Sequence, residues 1–82
     1  MKNEEKLVIQ WEIEKGFIND KEDFISYENE EYFETYEQAK KEFDSIIFNT
    51  QKHNDYACLW KVELLDGSET GRDLYGMRKE SE

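Results

Sequence analysis

The chain has 82 residues, and its 21 acidic side chains against 11 Lys and Arg leave a net charge of −10. A chain of that length makes one small domain with one thin core, without room for a deep catalytic cavity beside a second domain. The acidity argues against direct nucleic-acid binding, which needs positive surface, and an aromatic content of 15% argues against an acidic disordered chain.

Residues 6–13 alternate cleanly, with Leu7, Ile9, Trp11 and Ile13 on one face and Val8, Gln10 and Glu12 on the other. That period of two predicts a half-buried strand. Gly16 and the polar run Asn19-Asp20-Lys21-Glu22-Asp23 break it. Phe24-Ile25-Ser26-Tyr27 reads as a second strand, followed through Glu30 and Glu31 to Tyr32 and Phe33 by residues that favour strands less. Thr35-Tyr36-Glu37-Gln38 fits a capping box with Thr35 as N-cap. Behind it Tyr36, Ala39, Phe43, Ile46 and Ile47 recur on one helical face, predicting a helix over 36–49 that ends at Asn49.

After a polar break, Tyr56 to Leu65 predicts a second strong strand, with Cys58, Trp60, Val62 and Leu64 sharing a face. Asp66-Gly67 signals a hairpin. The return strand, over about Glu69 to Tyr75, carries Gly71, and Gly76 follows it; the two glycines suggest a bulge or a frayed end. Residues 77–82 read as a loose tail.

The expected fold is therefore α+β: an antiparallel sheet of about four strands with one helix on one face, in the order β-β-α-β-β, over a single domain spanning 1–82. The inward set is Leu7, Ile9, Trp11, Ile13, Phe33, Ala39, Phe43, Ile46, Ile47, Trp60, Val62 and Leu64. One helix covers one face only. Val8, Ala57, Leu59 and Leu65 are expected on the open face among Gln10, Glu12, Lys61 and Glu63.

No run approaches the ~18 apolar residues of a membrane span. Met1-Lys2-Asn3-Glu4-Glu5-Lys6 holds no apolar signal core, and the single cysteine, Cys58, closes no internal disulfide. A cytoplasmic protein is the expectation. The sequence names no reaction. His53 reads as a solvated loop histidine and Cys58 as a buried strand thiol, phosphate-loop, dinucleotide and zinc-protease motifs are missing, and no cofactor is expected. One His and one Cys do not make a zinc site, and Asp20-Lys21-Glu22-Asp23 lacks the ligand spacing of a calcium loop.

Charge distribution is more informative. Residues 20–37 hold eight acids against Lys21 alone. Such a stretch either solvates the surface or docks on a basic partner. In favour of docking, carboxylates two apart on a strand lie ~6.6 Å apart on one face, a spacing that flanking segments can halve toward the charge density of a nucleic acid. Interleaved aromatics supply anchors of the kind found at interface hot spots. Partner binding is placed on Asp20, Glu22, Asp23, Tyr27, Glu28, Glu30, Glu31, Tyr32 and Glu34, with Glu28, Glu30, Glu31 and Glu34 as its centre.

In size, charge and pattern the whole chain resembles the small acidic inhibitors of phages and mobile elements, the anti-CRISPR and anti-restriction proteins. The likeness is carried by the helix entry Tyr-Phe-Glu-Thr-Tyr-Glu-Gln-Ala-Lys-Lys-Glu-Phe, beginning at Tyr32, and the strand-turn Leu-Trp-Lys-Val-Glu-Leu-Leu-Asp-Gly, beginning at Leu59. The resemblance implies a DNA-mimic-like viral protein, not an enzyme, that occupies the basic nucleic-acid-binding surface of a host enzyme and touches neither nucleic acid nor membrane itself. The alternative is a structural or self-associating subunit, a homodimer through the open sheet face.

Overall fold

Two twelve-residue strands, β1 (Leu7–Ile18) and β4 (Asn54–Leu65), pair antiparallel over their whole length and form the spine of the molecule. A computed structural model describes residues 6–28, 30–48 and 54–79. β2 (Phe24–Ser26) and β3 (Glu31–Phe33) both pair with the outer edge of β1, one at each end of the edge they share. β5 (Ser68–Lys79) pairs with β4 on the far side. The fold is α+β, a five-stranded antiparallel sheet with the single helix α1 (Tyr36–Ser45) packed on one face.

Local chemistry accounts for each joint. The β4–β5 hairpin turns on Asp66 and Gly67, at φ +53° and +86°, the two left-handed positions that an Asp-Gly turn supplies. Asp66 also ties the turn to the start of β1: its N–H donates to the Lys6 carbonyl at 3.0 Å and its Oδ1 accepts from the Lys6 N–H at 3.1 Å. At the N-cap of α1, the Thr35 hydroxyl accepts from the Gln38 N–H at 3.2 Å. Gly16 is required by close approach, because a Cβ there would run into the Ile25 carbonyl of β2 and lie 2.8 Å from the Tyr56 ring.

The helix buries Ala39 and Phe43 against Trp11, Ile13, Ala57 and Leu59, with Ile9, Phe33, Tyr36, Ile46 and Phe48 around the rim. Phe43 reaches the sheet because β5 presents a glycine opposite it; a Cβ on Gly76 would lie 3.3 Å from the Phe43 ring. The helix ends at Ser45, four residues short of the expected Asn49, which lies outside the described residues together with His53. Ile46 turns extended (φ −64°, ψ 131°), which leaves Ile46 and Phe48 on the core and Ile47 84% exposed, so Ile47 is not a core residue. The last helical turn contains no basic residue of its own. Arg78 of β5 supplies the charge instead: its Nη1 donates to the Phe43 carbonyl at 2.6 Å while its guanidinium sits over the Phe43 and Phe48 rings.

Two further expectations are corrected. The pairing sets Lys61 opposite Trp11 and Leu59 opposite Ile13, so Ala57 and Leu59 lie under the helix, while Cys58, Trp60, Val62 and Leu64 face the other way. A shift of one residue exchanges the faces of a whole strand. Both alternating sets of β4 are apolar at its centre, so its own pattern does not choose between them. The connection from β1 to β4 runs through the helix, so no tight turn fixes the parity. The expected loose tail is likewise strand for three residues: Met77, Arg78 and Lys79 pair with Cys58, Ala57 and Tyr56, and residues 80–82 lie outside the described part. The expected bulge is present, with register shifts opposite Leu59/Trp60 and Glu63/Leu64 that make Tyr75 and Thr70 the extra residues of β5. No helix among the described residues is long and apolar enough to cross a membrane.

Candidate functional site

The acidic segment singled out from the sequence follows one rim of the sheet. Asp20, Glu22 and Asp23 stand exposed on the β1–β2 turn. Asn19 builds that turn, its Oδ1 accepting from the Lys21 and Asp23 N–H groups at 2.9 Å each. Glu22 and Glu28 adopt φ +65° and +59°. Glu28 sits where the rim breaks between β2 and β3, its N–H held by the Ser26 hydroxyl at 3.0 Å. The rim residues part from there. Tyr27 turns toward the helix-covered side, donating to Asp55 Oδ1 at 3.0 Å and packing near Phe17. Glu31 pairs with Ile13 and shares its face, and Glu34 follows exposed at the end of β3. Glu30 and Tyr32 instead line a cleft on the open face. The nine residues are thus one continuous edge but not one surface.

Sequence reasoning placed Gln10 and Glu12 on the open face but named neither as a site residue, and it missed the groups gathered around them. Register places them in rows across the strands. Tyr32, Glu12, Trp60 and Leu74 form one row; Gln10, Val62 and Arg72 lie beside it; Glu14, Cys58 and Met77 lie on the other side. Glu14 is fixed by two donors, Tyr56 Oη to its Oε2 and Trp60 Nε1 to its Oε1, both at 3.0 Å. Burial first, and then this hydrogen bond, push the Tyr56 hydroxyl well above the usual tyrosine range.

Glu12 is only 5% exposed. A carboxylate so buried needs a partner, and Arg72 crosses over β4 to provide one. Its Nη2 lies 3.2 Å from Glu12 Oε1, and its Nε and Nη2 donate to Glu69 at 2.8 and 3.0 Å. The guanidinium rests 5.2 Å from the centre of the Trp60 ring. Burial outweighs the guanidinium at Glu12 and holds its carboxyl above the ordinary range, whereas the hydrogen bonds to Arg72 hold Glu69 below it. The Glu12 charge, chiefly, raises the Tyr32 hydroxyl. The sequence did offer a signal: glutamates at positions 12 and 14, two apart in one strand, must share a face.

Burial pushes the Cys58 thiol up to about 11, leaving it protonated at neutral pH and a poor nucleophile. Among the described residues, no three His, Cys, Asp or Glu side chains are grouped to hold a metal ion. What the arrangement offers chemically is a rim and a cleft of carboxylates interleaved with aromatic rings. Comparison with protein-family models, with curated proteins and with solved structures gives no match.

Proposed function

We propose that this chain is a non-enzymatic acidic binding module, a phage-type inhibitor that docks on the basic nucleic-acid-binding surface of a host protein such as a CRISPR effector or a restriction enzyme. The observation that carries the reading is the alignment of Asp20, Glu22, Asp23, Glu28, Glu30, Glu31 and Glu34 along one rim of a sheet. From Ile18 to Trp11 that rim is about 23 Å long at ~3.3 Å per residue. Asp20, Glu22 and Asp23 crowd the turn at one end of it, Glu28, Glu30 and Glu31 lie along it and Glu34 stands at the other end, a run of like charge of the kind a phosphate backbone presents. A folded rim presents this charge already ordered, which lowers the entropic cost of docking, and charge complementarity then sets the rate and selectivity of association.

Immobilised protein should retain a basic nucleic-acid-binding protein at low salt and release it to duplex DNA or to rising salt, as the screening length falls from ~10 Å at 0.1 M to ~3 Å at 1 M. Glu30→Lys with Glu31→Lys should weaken capture strongly and leave the melting temperature nearly unchanged, since Glu31 is exposed and Glu30 only half-buried, and charges so placed contribute little to stability. The same reversals at Glu80 and Glu82 are the control. Equal loss from both pairs would reduce the effect to bulk charge, and no loss from either would remove the reading. The alternative, a homodimer through the open face, draws support from exposed Val8, Leu74 and Met77, but the carboxylates between those residues would face their own copies across a two-fold axis. Sedimentation at several concentrations separates the two readings.

A further inference from the structure

The open face of the sheet is not flat. Tyr32 of β3 and Arg72 of β5 stand on either side of a cleft of about 430 Å³ whose floor includes Glu12, Glu14 and Val62. That volume falls within the ~300–1,000 Å³ of pockets that seat ligands. We propose that this cleft receives one arginine side chain of the docking partner; the proposal rests on the acidic-module reading and names the contact that reading would make beyond the rim.

Charge complementarity selects the occupant. Glu12, Glu14, Glu30 and Glu69 face the cleft with Arg72 as their one cation, which leaves a surplus of three negative charges and repels an anionic ligand. Arg72 displays the chemistry the cleft accepts: a guanidinium in bidentate contact with Glu69, in reach of Glu12, its plane over an indole. Glu30 is half-buried, and among the described residues no hydrogen-bond donor meets its carboxylate. Its charge adds to the rise in the Glu12 and Tyr32 titrations, so it acts into the same space. Leu64 and the Tyr32 ring offer apolar surface to the methylene stem of a long basic side chain. A planar, weakly hydrated guanidinium suits paired carboxylates and a ring face better than the compact, strongly hydrated ammonium of lysine. Glu30 and Tyr32 belong to the rim as well, so one partner surface can reach both.

The two tryptophans make the test direct, because Trp60 reports on the open face and Trp11 on the helix-covered one. N-acetyl-arginine amide titrated into the millimolar range should move the Trp60 indole N–H signal, which is bonded to Glu14, and the Glu12, Tyr32 and Arg72 amides along one saturable curve, with the Trp11 indole still. N-acetyl-citrulline amide, of the same shape without the charge, should move none of them, and N-acetyl-lysine amide should bind several-fold more weakly. Glu30→Gln should weaken the arginine curve about tenfold, the scale of one charged hydrogen bond. Equal response to citrulline or to lysine, or an undiminished curve in Glu30→Gln, would overturn the proposal. Shifts confined to Asp20–Glu28 would overturn the cleft and leave the acidic rim standing. A saturable cleft in a protein whose partner capture survives the Glu30→Lys and Glu31→Lys reversals would do the opposite.

Discussion

The two faces of the sheet reach similar burial at their centres by different means. Under the helix, Ile13 and Ala57 are fully enclosed by a second layer of apolar side chains that includes Ala39 and Phe43. On the open face the described residues form no second layer, yet Tyr56, Cys58 and Val62 are 1–4% exposed. Around them polar side chains are tied together: Arg72 reaches across β4 to Glu12 and over Trp60, Glu14 holds Tyr56 and Trp60, and the Phe24 ring packs on Tyr56. A small domain with one helix can thus close its second face with amphipathic side chains, and the closure leaves charge on the outside.

Four experiments would break or sharpen that contrast. The largest effect belongs to the helix side. Phe43→Ala should cost ~3–5 kcal/mol in urea unfolding, a large share of the ~5–15 kcal/mol typical of a whole domain, and a loss below ~1 kcal/mol would show that the helix is not what closes the core. Arg72→Met on the open face should cost less, ~1–3 kcal/mol, because it leaves the Glu12 carboxylate without its donor. Adding Glu12→Gln should then restore most of that loss, since no buried charge remains; without restoration, Arg72 would act by covering Trp60 and not by pairing.

A smaller effect is a slope with pH. The native carboxyl of Glu12 titrates above its ordinary 4.5, so between that value and its native one the folded state binds more protons than the unfolded. Its contribution favours folding on the acid side and declines as pH rises through that window. Glu69 has the opposite sign: its carboxyl is held below 4.5, so its contribution is present above that value and lost as pH falls through the native one. Carboxyl NMR titration should show the two on opposite sides of ordinary glutamate, and Glu12→Gln should flatten the first slope alone. The smallest effect leaves stability untouched. Native Cys58 should resist alkylation at pH 8 and react at once in urea, and fast native labelling would mean that the polar cover opens.

Most of the architecture is legible in the chain because single segments specify it: the Thr35 cap, the Phe43 face, the alternation of β1 and the Asp66-Gly67 turn each need only their neighbours. The failures are all relations between distant segments. The parity of β4 depends on its pairing with β1, the early end of the helix on Arg78 from β5, and the strand character of residues 77–79 on the edge that β4 offers them. The site divides the same way. The acidic rim is contiguous in sequence and visible there directly, whereas the Glu12–Arg72–Glu69 cluster joins residues up to sixty apart and exists only once the register is set.

The bulges at Thr70 and Tyr75 have a consequence for crowded conditions. Among the described residues, a strand seeking to extend the sheet beyond β5 would meet regular backbone over residues 71–74 and 76–79, each run shorter than the five or six residues of a common strand. The opposite rim is interrupted between Ser26 and Glu31. Among the described residues, neither margin offers an even row of amides and carbonyls long enough to template another chain. The sheet is in this sense finished at both sides, and its associations are left to side chains, where charge can choose among partners.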